Sequence, residues 1–560
     1  MAAPGYLGVT PPISVAQPSE REREITVSLM NELRNQNSFE SDEESRRREL
    51  VLGRVAGLVK KFVRDVSIAK GLSEVAANAA GGKIFTFGSY RLGVHSPGTD
   101  IDICCVVPRH VTREDFFAVF EPMVRATEGA TEVAGVPDAF VPMIGAKISG
   151  ISMDLLCAPL NMSAIPDDLS LKDNNILKNL DESVVRSVNG TRLTDELLRL
   201  VPNVQVFRDA LRCIKLWAQR KAVYSNKIGY LGGVAWAMLV ARVCQLYPNA
   251  VAGAIVSRFF TVMSKWQWPQ PVLLKQIEEG PLQLYQSDRA HRMPIITPNY
   301  PSMCATHNVS ETTHAVMCEA IVQGADGNIE YEYADGRPST GAQLLEKIVA
   351  GTAQCCASEG AGESIKWTGT VESKMRHFVL KLEYLDALNR PSDSIVPGTG
   401  SKSLGPPGPH PFAKGFARVV RCKDAEEAGK LLRGEGDLVV GEEDKDDDAE
   451  VEGKGEKVFM TSFFVGLGIK PRAQGETAAR RLDMSFAISE FTKMVKGEAF
   501  DEANKGIVVR HVKSAALPPY VYDPGELEAK TKTKVTGKRG RRSMGATEEG
   551  PNKRPRLAMP

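Results

Sequence analysis

Between Ser19 and about Gly71 apolar residues return every three to four positions, and Leu50, Val51, Val55, Leu58, Val59, Phe62 and Val63 draw one stripe. That spacing predicts amphipathic helix, with Ser19 placed to cap it. The period then shortens. Lys83–Phe87, Ile101–Val107 and Ile148–Leu156 are short β-rich runs separated by turn residues, which predicts strands. Arg113–Val124, between the last two, has the pattern of an amphipathic helix. Strands and helices mixed in this way predict an α/β unit. Helical periodicity returns over 204–350, clearest at Gln205–Gln219 and Val234–Leu246. From Lys366 onward β-type runs come back, as at Val419–Arg421 and Val458–Val465, and a helix follows near Ala478–Val495.

Interruptions of the pattern divide the chain. Residues 1–20, rich in Pro, Ser and Gly, are expected to form a flexible arm, and Pro391–Pro411 a loop. The acidic run 435–456 reads as a disordered surface insertion, and 524–560 as a basic tail. Three segments remain: 21–203, whose N-terminal helices are expected to pack partly on the next domain, then 204–350 and 351–523. A chain of 560 residues is too long for one hydrophobic core, which agrees with this division. Hydrophobic residues at 42% and charged residues at 25% are ordinary for a globular protein. The net charge of +1 excludes little, because the acidic and basic segments cancel. Ten cysteines without a C-x-x-C pair predict free thiols in a reducing compartment. No apolar run approaches the ~20 residues needed to span a bilayer, and the N-terminus lacks the features of a secretion signal, so a soluble intracellular protein without a membrane partner is expected.

The chemistry concentrates in FGSYRLGVHSPGTDID, residues 87–102. Asp100 and Asp102 are two apart at the start of a strand, where i and i+2 point to one side. Unpaired, two such carboxylates repel, and a divalent cation removes that penalty. Asp154 is a lone acid inside the apolar run ISMDLL, costly unless positive charge lies beside it. A neighbouring strand carrying Asp154 to the pair would complete a two-metal site able to activate a hydroxyl and orient a triphosphate. Gly88 and Ser89 upstream supply a tight turn whose N–H groups suit phosphate oxygens. Either feature alone is commonplace in surface loops; the combination is specific.

A second cluster lies in Arg208–Arg220 and Ala222–Asn226. In a helix, Phe207, Ala210, Leu211, Ile214, Trp217 and Ala218 make the buried stripe and Lys215 falls on its flank. Spacing by itself favours a solvated lysine there, and ordinary turn and core roles for Tyr224 and Asn226.

FGSYRLGVHSPGTDID, GISMDLLCA, ALRCIKLWAQRKAVYSN, YLGGVAWAMLVARVCQLYPNA, SKWQWPQPVLL and MPIITPNYPSMCATHN resemble the eukaryotic nuclear poly(A) polymerases, the fungal branch in particular. The resemblance is dense over residues 5–320 and returns in IKWTGTVESKMRHFVLKLE and VFMTSFFVGL. It implies an α+β multidomain fold: a polymerase-β-like palm domain, a central helical domain, and a C-terminal RRM-like α/β domain that binds RNA. It also implies that Asp100, Asp102 and Asp154 are the catalytic, metal-binding triad for two Mg2+ or Mn2+ ions, with ATP as substrate. Phe87, Gly88 and Ser89 match the phosphate-side turn, and Ser96 joins the nucleotide-binding set. Lys215 and Tyr224 match triphosphate ligands, Asn226 a group near adenine and ribose, and Gly233 and Val234 further nucleotide contacts. The implied partners are the RNA 3′ end and subunits of the cleavage and polyadenylation complex, for a monomeric enzyme of the nucleus. Lys538–Arg542 and Lys553–Arg556 read as a bipartite nuclear import signal.

Two departures stand out. Leu345–Cys356 lacks the aromatic segment usual before the KW motif, so the first strand of the C-terminal sheet is expected to be missing. Pro159 stands where a charged residue is usual, just after the Asp154 strand. The rival readings are a uridylyl- or CCA-adding transferase, and a catalytically silent RNA-binding scaffold; the three retained aspartates argue against the last.

Overall fold

The computed structural model describes residues 6–137, 141–278, 291–325, 349–357, 360–385, 408–413, 415–435, 456–468, 482–497, 500–512, 517–518 and 521. Its first layer grows from two helices. The helix α1 (Glu20–Asn35) opens with a capping box, in which Ser19 Oγ accepts the Glu22 N–H and the Glu22 carboxylate accepts the Ser19 N–H. α2 (Asp42–Ala69) buries Val51, Val55, Val59, Phe62, Val63 and Val66. Leu50, counted in the predicted stripe, is instead 69% exposed.

α2 covers one face of a five-stranded sheet of order β1-β2-β5-β4-β3, where β1 is Lys83–Phe87, β2 Ile101–Pro108, β3 Ala130–Val136, β4 Met143–Ile148 and β5 Ile151–Leu160. β2 and β5 pair in parallel, and the other neighbours are antiparallel. Strand alternation sorts the side chains: Ile101, Ile103, Cys105 and Val107 join the α2 core, with Met153, Leu155 and Cys157 of β5. Cys104, Val106, Ala158 and Leu160 face Val184, Val185 and Val188 on the opposite side. Ile148, read as the start of the Asp154 strand, ends β4, and a turn through Ser149 and Gly150, both at positive φ, separates the two strands. Arg113–Arg125 is helical, as predicted, with a π-helical turn at Phe116–Phe120.

After the short helix α3 (Gly88–Leu92) come α4 (Glu182–Leu200), α5 (Val204–Arg220), α6 (Gly233–Leu246), α7 (Ala252–Met263) and α8 (Glu311–Ala325). α6 is buried almost all round, with Trp236 fully buried in its first turns. α1 packs on α7, where Arg258 meets Glu22 at 2.7 Å and the Gly253 N–H donates to Thr26 Oγ1 at 3.1 Å. The arm expected to be flexible is anchored over residues 10–15. Ile13 N–H donates to the Leu246 carbonyl at 2.8 Å, Asn249 Nδ2 to the Val15 carbonyl at 2.6 Å, and the buried Arg242 to Thr10 Oγ1 at 2.5 Å. Backbone and buried-charge partners supply the anchoring that Pro, Ser and Gly composition does not reveal.

Glu196 near the end of α4 meets Arg199 at 2.6 Å and Lys275 at 2.8 Å. Burial opposes ionisation, but these cations together bring its carboxyl down to about 2. A carboxyl depressed below its unfolded value adds stability above that value and loses it as pH falls through the folded one. Glu196→Gln is therefore expected to cost roughly 1–2 kcal/mol near neutrality. The gap in thermal midpoint from the parent should narrow between pH 5 and 3.

The last domain is a second antiparallel sheet of order β10-β6-β9-β7, with β8 also on β9. Here β6 is Val349–Ala357, β7 Gly408–Pro411, β8 Phe416–Cys422, β9 Glu456–Gly468 and β10 Lys505–Val512. This corrects the expected loss of a strand near Leu345–Cys356. β6 runs between β9 and β10, paired along its length with both, so the ladders on either side supply the order its small residues do not advertise. The β-type reading from Lys366 is also corrected: Gly360–Glu383 is a helix, α9, that buries Trp367, Val371, Met375, Phe378, Val379 and Leu382 at helical spacing. The helix expected near Ala478–Val495 is α10 (Ser485–Lys496), and the expected loop Pro391–Pro411 ends in β7. The acidic insertion between Glu435 and Glu456, and the basic tail, lie outside the described residues.

Candidate active site

Parallel pairing of β2 with β5 sets Asp102 directly opposite Asp154. By alternation both project on the sheet face that α4 covers, the side of Cys104, Val106 and Ala158. Neighbouring strands lie ~4.8 Å apart, so two carboxylates stand side by side in a largely buried place. Asp100 is exposed, just before β2 begins. Burial first, then the charges of Asp154 and Asp100, push the Asp102 carboxyl up to about 7, against the pull of Lys215. Burial, then Asp100, raises Asp154 to about 6, against Lys227. Among the described residues no three His, Cys, Asp or Glu side chains are gathered tightly enough to hold a metal as they stand. The donor chemistry nonetheless fits a hard divalent cation: carboxylate oxygens only, with proton affinities that show how much positive charge the place lacks.

The turn beside them is shaped to admit the Asp102 carboxylate. Phe87 pairs with Asp102 across β1 and β2, and Gly88 follows at φ +62°. A Cβ on Gly88 would overlap Asp102 Oδ2. α4 supports the turn: Thr194 Oγ1 accepts the Gly88 N–H at 3.3 Å, and Gly190 leaves room for the Phe87 ring. Ser89 lies in the first turn of α3, where its carbonyl accepts the Val94 N–H at 2.9 Å. Ser96 sits in the following loop, its N–H held by Thr99 Oγ1 at 2.9 Å.

The central domain supplies the opposing wall. Lys215 on α5 is 8% exposed, not solvated as its spacing suggested. Burial and Arg212 lower its ammonium, while Asp102 raises it. Burial, then Asp102, pushes the Tyr224 phenol up to about 12. Both side chains thus lie within the field of Asp102. Gly233 opens α6, and a Cβ there would come within 2.6 Å of the Tyr224 hydroxyl. Val234 next to it is 38% exposed. The Asn226 carbonyl accepts Asn308 Nδ2 at 3.1 Å, which fixes the turn Asn226–Ile228.

Two residues escaped the sequence reading. Lys227 reaches Asp154 electrostatically and pairs with Glu372 of α9 at 2.9 Å. Asn189, beside the Gly190 that makes room for Phe87, is buried, and both its amide atoms are unpartnered among the described residues. The available signal for Asn189 was a polar residue following the apolar positions Val184, Val185 and Val188 on the sheet-facing side of α4.

Comparison with known proteins follows this layout. Residues 8–201 match the family model for the poly(A) polymerase nucleotidyltransferase domain, 206–335 that for the poly(A) polymerase central domain, and 409–531 that for the poly(A) polymerase predicted RNA binding domain. Poly(A) polymerase pla1 of Schizosaccharomyces pombe is 43% identical over 94% of this chain and 95% of its own. Poly(A) polymerase PAPa of Candida albicans is 44% identical over 96% and 97%. Among solved structures, a cytoplasmic RNA terminal U-transferase aligns with 56% of this chain and 96% of its own, at 14% identity and a TM-score of 0.36.

Proposed function

The chain belongs to the poly(A) polymerase family, enzymes that add AMP from ATP to RNA 3′ ends, and we propose that Asp100, Asp102 and Asp154 carry that chemistry here. The uridylyl-transferring, CCA-adding and silent-scaffold readings have no comparable support. A divalent metal and ATP go with the family in general; the finer assignment is two ions, Mg2+ or Mn2+, that the three aspartates would hold. Bound there, they would acidify the attacking 3′-hydroxyl and offset negative charge on the triphosphate. The observation that carries the assignment is the register that places Asp102 opposite Asp154 on the face toward Lys215 and Tyr224.

The chain's own groups then divide the work. An Asp154 oxygen takes the proton from the 3′-hydroxyl as it attacks the α-phosphate. The Lys215 ammonium, kept dry by its burial, offsets charge on the β- or γ-phosphate as pyrophosphate leaves. Tyr224 adds a hydroxyl donor, and the turn of Phe87, Gly88 and Ser89 with Ser96 lies on the phosphate side. Asn226 lies near adenine and ribose, Gly233 and Val234 make further contacts to the nucleotide, and the buried Asn189 amide, unpartnered among the described residues, stands next to the Gly190 that makes room for Phe87. With no template strand, selection of ATP rests on pocket shape and these few polar groups. Lys215→Ala is expected to lower kcat/KM for ATP about 100-fold, the loss of one buried charge-assisted contact. Steady-state kinetics at saturating oligo(A) would read it, and an unchanged ATP dependence would remove Lys215 from the site.

The same proposal divides the chain into a catalytic domain 21–203, a central helical domain 204–350 and an RNA-binding domain 351–523; the pairing of β6 with β9 supports setting the last junction ahead of Val349. It takes the RNA 3′ end as acceptor, subunits of the cleavage and polyadenylation complex as partners, a monomeric enzyme, and the nucleus as location. Among the described residues no helix is long and apolar enough to cross a membrane. Nuclear import is assigned to the two basic clusters after residue 537. Deleting 530–560 should send a fluorescent fusion to the cytoplasm while kcat on short primers holds; unchanged nuclear accumulation would refute the signal.

A further inference from the structure

The loop that delivers the aspartate pair, residues 93–100, is gripped from two sides. From α2, the Arg48 guanidinium donates to the Thr99 carbonyl at 2.7 Å, to Glu44 Oε1 at 3.1 Å and to Glu40. Glu44 accepts the Gly98 N–H at 3.0 Å, and Glu40 meets His95 Nε2 at 3.0 Å. From α5, Arg212 donates to the carbonyls of Gly93 at 2.5 Å and His95 at 2.9 Å, and Arg208 to that of Leu92 at 2.8 Å. The side chains of Arg48 and Glu40 are only 1% and 4% exposed.

An ion pair buried so deeply gains little over apolar packing, because desolvation offsets the attraction. Its geometry is the informative part. The Thr99 carbonyl belongs to the same planar peptide as the Asp100 N–H, so a hydrogen bond that fixes that plane fixes the direction in which Asp100 leaves the chain. Arg212 stands one helical turn before Lys215 and ties the same loop to the helix that carries it.

We infer that Arg48 is a positioning residue for the metal-binding aspartates, orienting the Thr99–Asp100 peptide, while Arg212 keeps that loop in register with Lys215. The inference rests on the aspartate assignment above. Its test is Arg48→Lys, which keeps the charge but cannot span three acceptors. With saturating ATP and oligo(A), kcat should fall about 100-fold, the scale of a misplacement near 1 Å, while primer KM stays within about twofold. Mn2+ affinity, read without substrates from the electron paramagnetic resonance of free Mn2+, should weaken about tenfold, as when a supporting partner of a metal ligand is lost. Parent-like kcat and Mn2+ binding with only a lowered thermal midpoint would make Arg48 structural and overturn the inference. If Arg48→Lys does not fold, Glu44→Gln decides, since its amide still accepts the Gly98 N–H but loses the charge facing Arg48. A kcat loss of about threefold to tenfold supports the inference there, and parent values overturn it. Asp102→Asn runs alongside: activity retained by that variant would sink the aspartate assignment itself, a result distinct from either Arg48 outcome.

Discussion

Asp154→Asn is expected to lower AMP addition by at least about 1,000-fold, a loss above roughly 4 kcal/mol of transition-state stabilisation, while making the metal-free protein more stable. The two effects share one cause. Asp102 and Asp154 stand side by side across parallel strands, and burial raises both carboxyls above their ordinary value of 3.8, with Asp154 and Asp100 adding to the rise of Asp102, and Asp100 to that of Asp154. A carboxyl that holds its proton more tightly when folded favours the folded state at low pH and loses that advantage as pH rises through the folded value. In the presence of a chelator, parent stability should therefore fall between about pH 4 and pH 7, the interval from the ordinary value to that of Asp102. The neutral amide removes one of the repelling charges, flattens that slope and raises the thermal midpoint at pH 8. Thermal unfolding with chelator across this range, paired with primer extension in Mg2+, measures both. A variant that lost activity together with stability would point to a packing role for Asp154.

The carboxylates proposed to be catalytic were legible because each breaks a rule visible in one dimension. Asp154 interrupts an apolar run, and Asp100 and Asp102 share strand parity at a β start. β3 and β4 were missed because Gly145 and Ala146 dilute the apolar signal of β4, although its exposure alternates strictly. α9 was misread although Trp367, Val371, Met375, Phe378, Val379 and Leu382 keep a helical period; interleaved threonines and valines drew the strand reading. Leu50 shows the reverse error, an apolar residue on the right period that is left exposed. Lys215, Tyr224 and Asn226 carried no local signal strong enough to outweigh ordinary roles, and family resemblance singled them out. Arg48 was beyond either route. Its partners lie in the nearby segment Glu40–Glu44 and, 51 residues on, at Thr99, and only the fold brings them to one guanidinium.

Gly88→Ala is expected to reduce kcat about 100-fold or more with a modest loss of stability, through displacement of a neighbour rather than loss of any group of its own. Gly88 adopts φ +62°, where an L side chain costs about 1–2 kcal/mol from strain against its own carbonyl. That cost alone would lower the thermal midpoint and leave chemistry intact. The added methyl, however, would occupy the position of Asp102 Oδ2. β1 is held to β2 along its whole length, and Thr194 fixes the Gly88 N–H from the other side, so the turn has little room to retreat. The carboxylate therefore moves, and with it the alignment against Asp154. Gly71→Ala isolates the two contributions: φ is +85° there, yet no atom of the described residues lies within 4 Å of an added Cβ. That variant should lose a similar amount of stability and keep parent kcat. Comparing kcat and thermal midpoints of the two separates strain from displacement. If Gly88→Ala fell in stability like Gly71→Ala but kept its activity, the Asp102 carboxylate would have another productive position, and the close fit of this turn would not be needed for AMP addition.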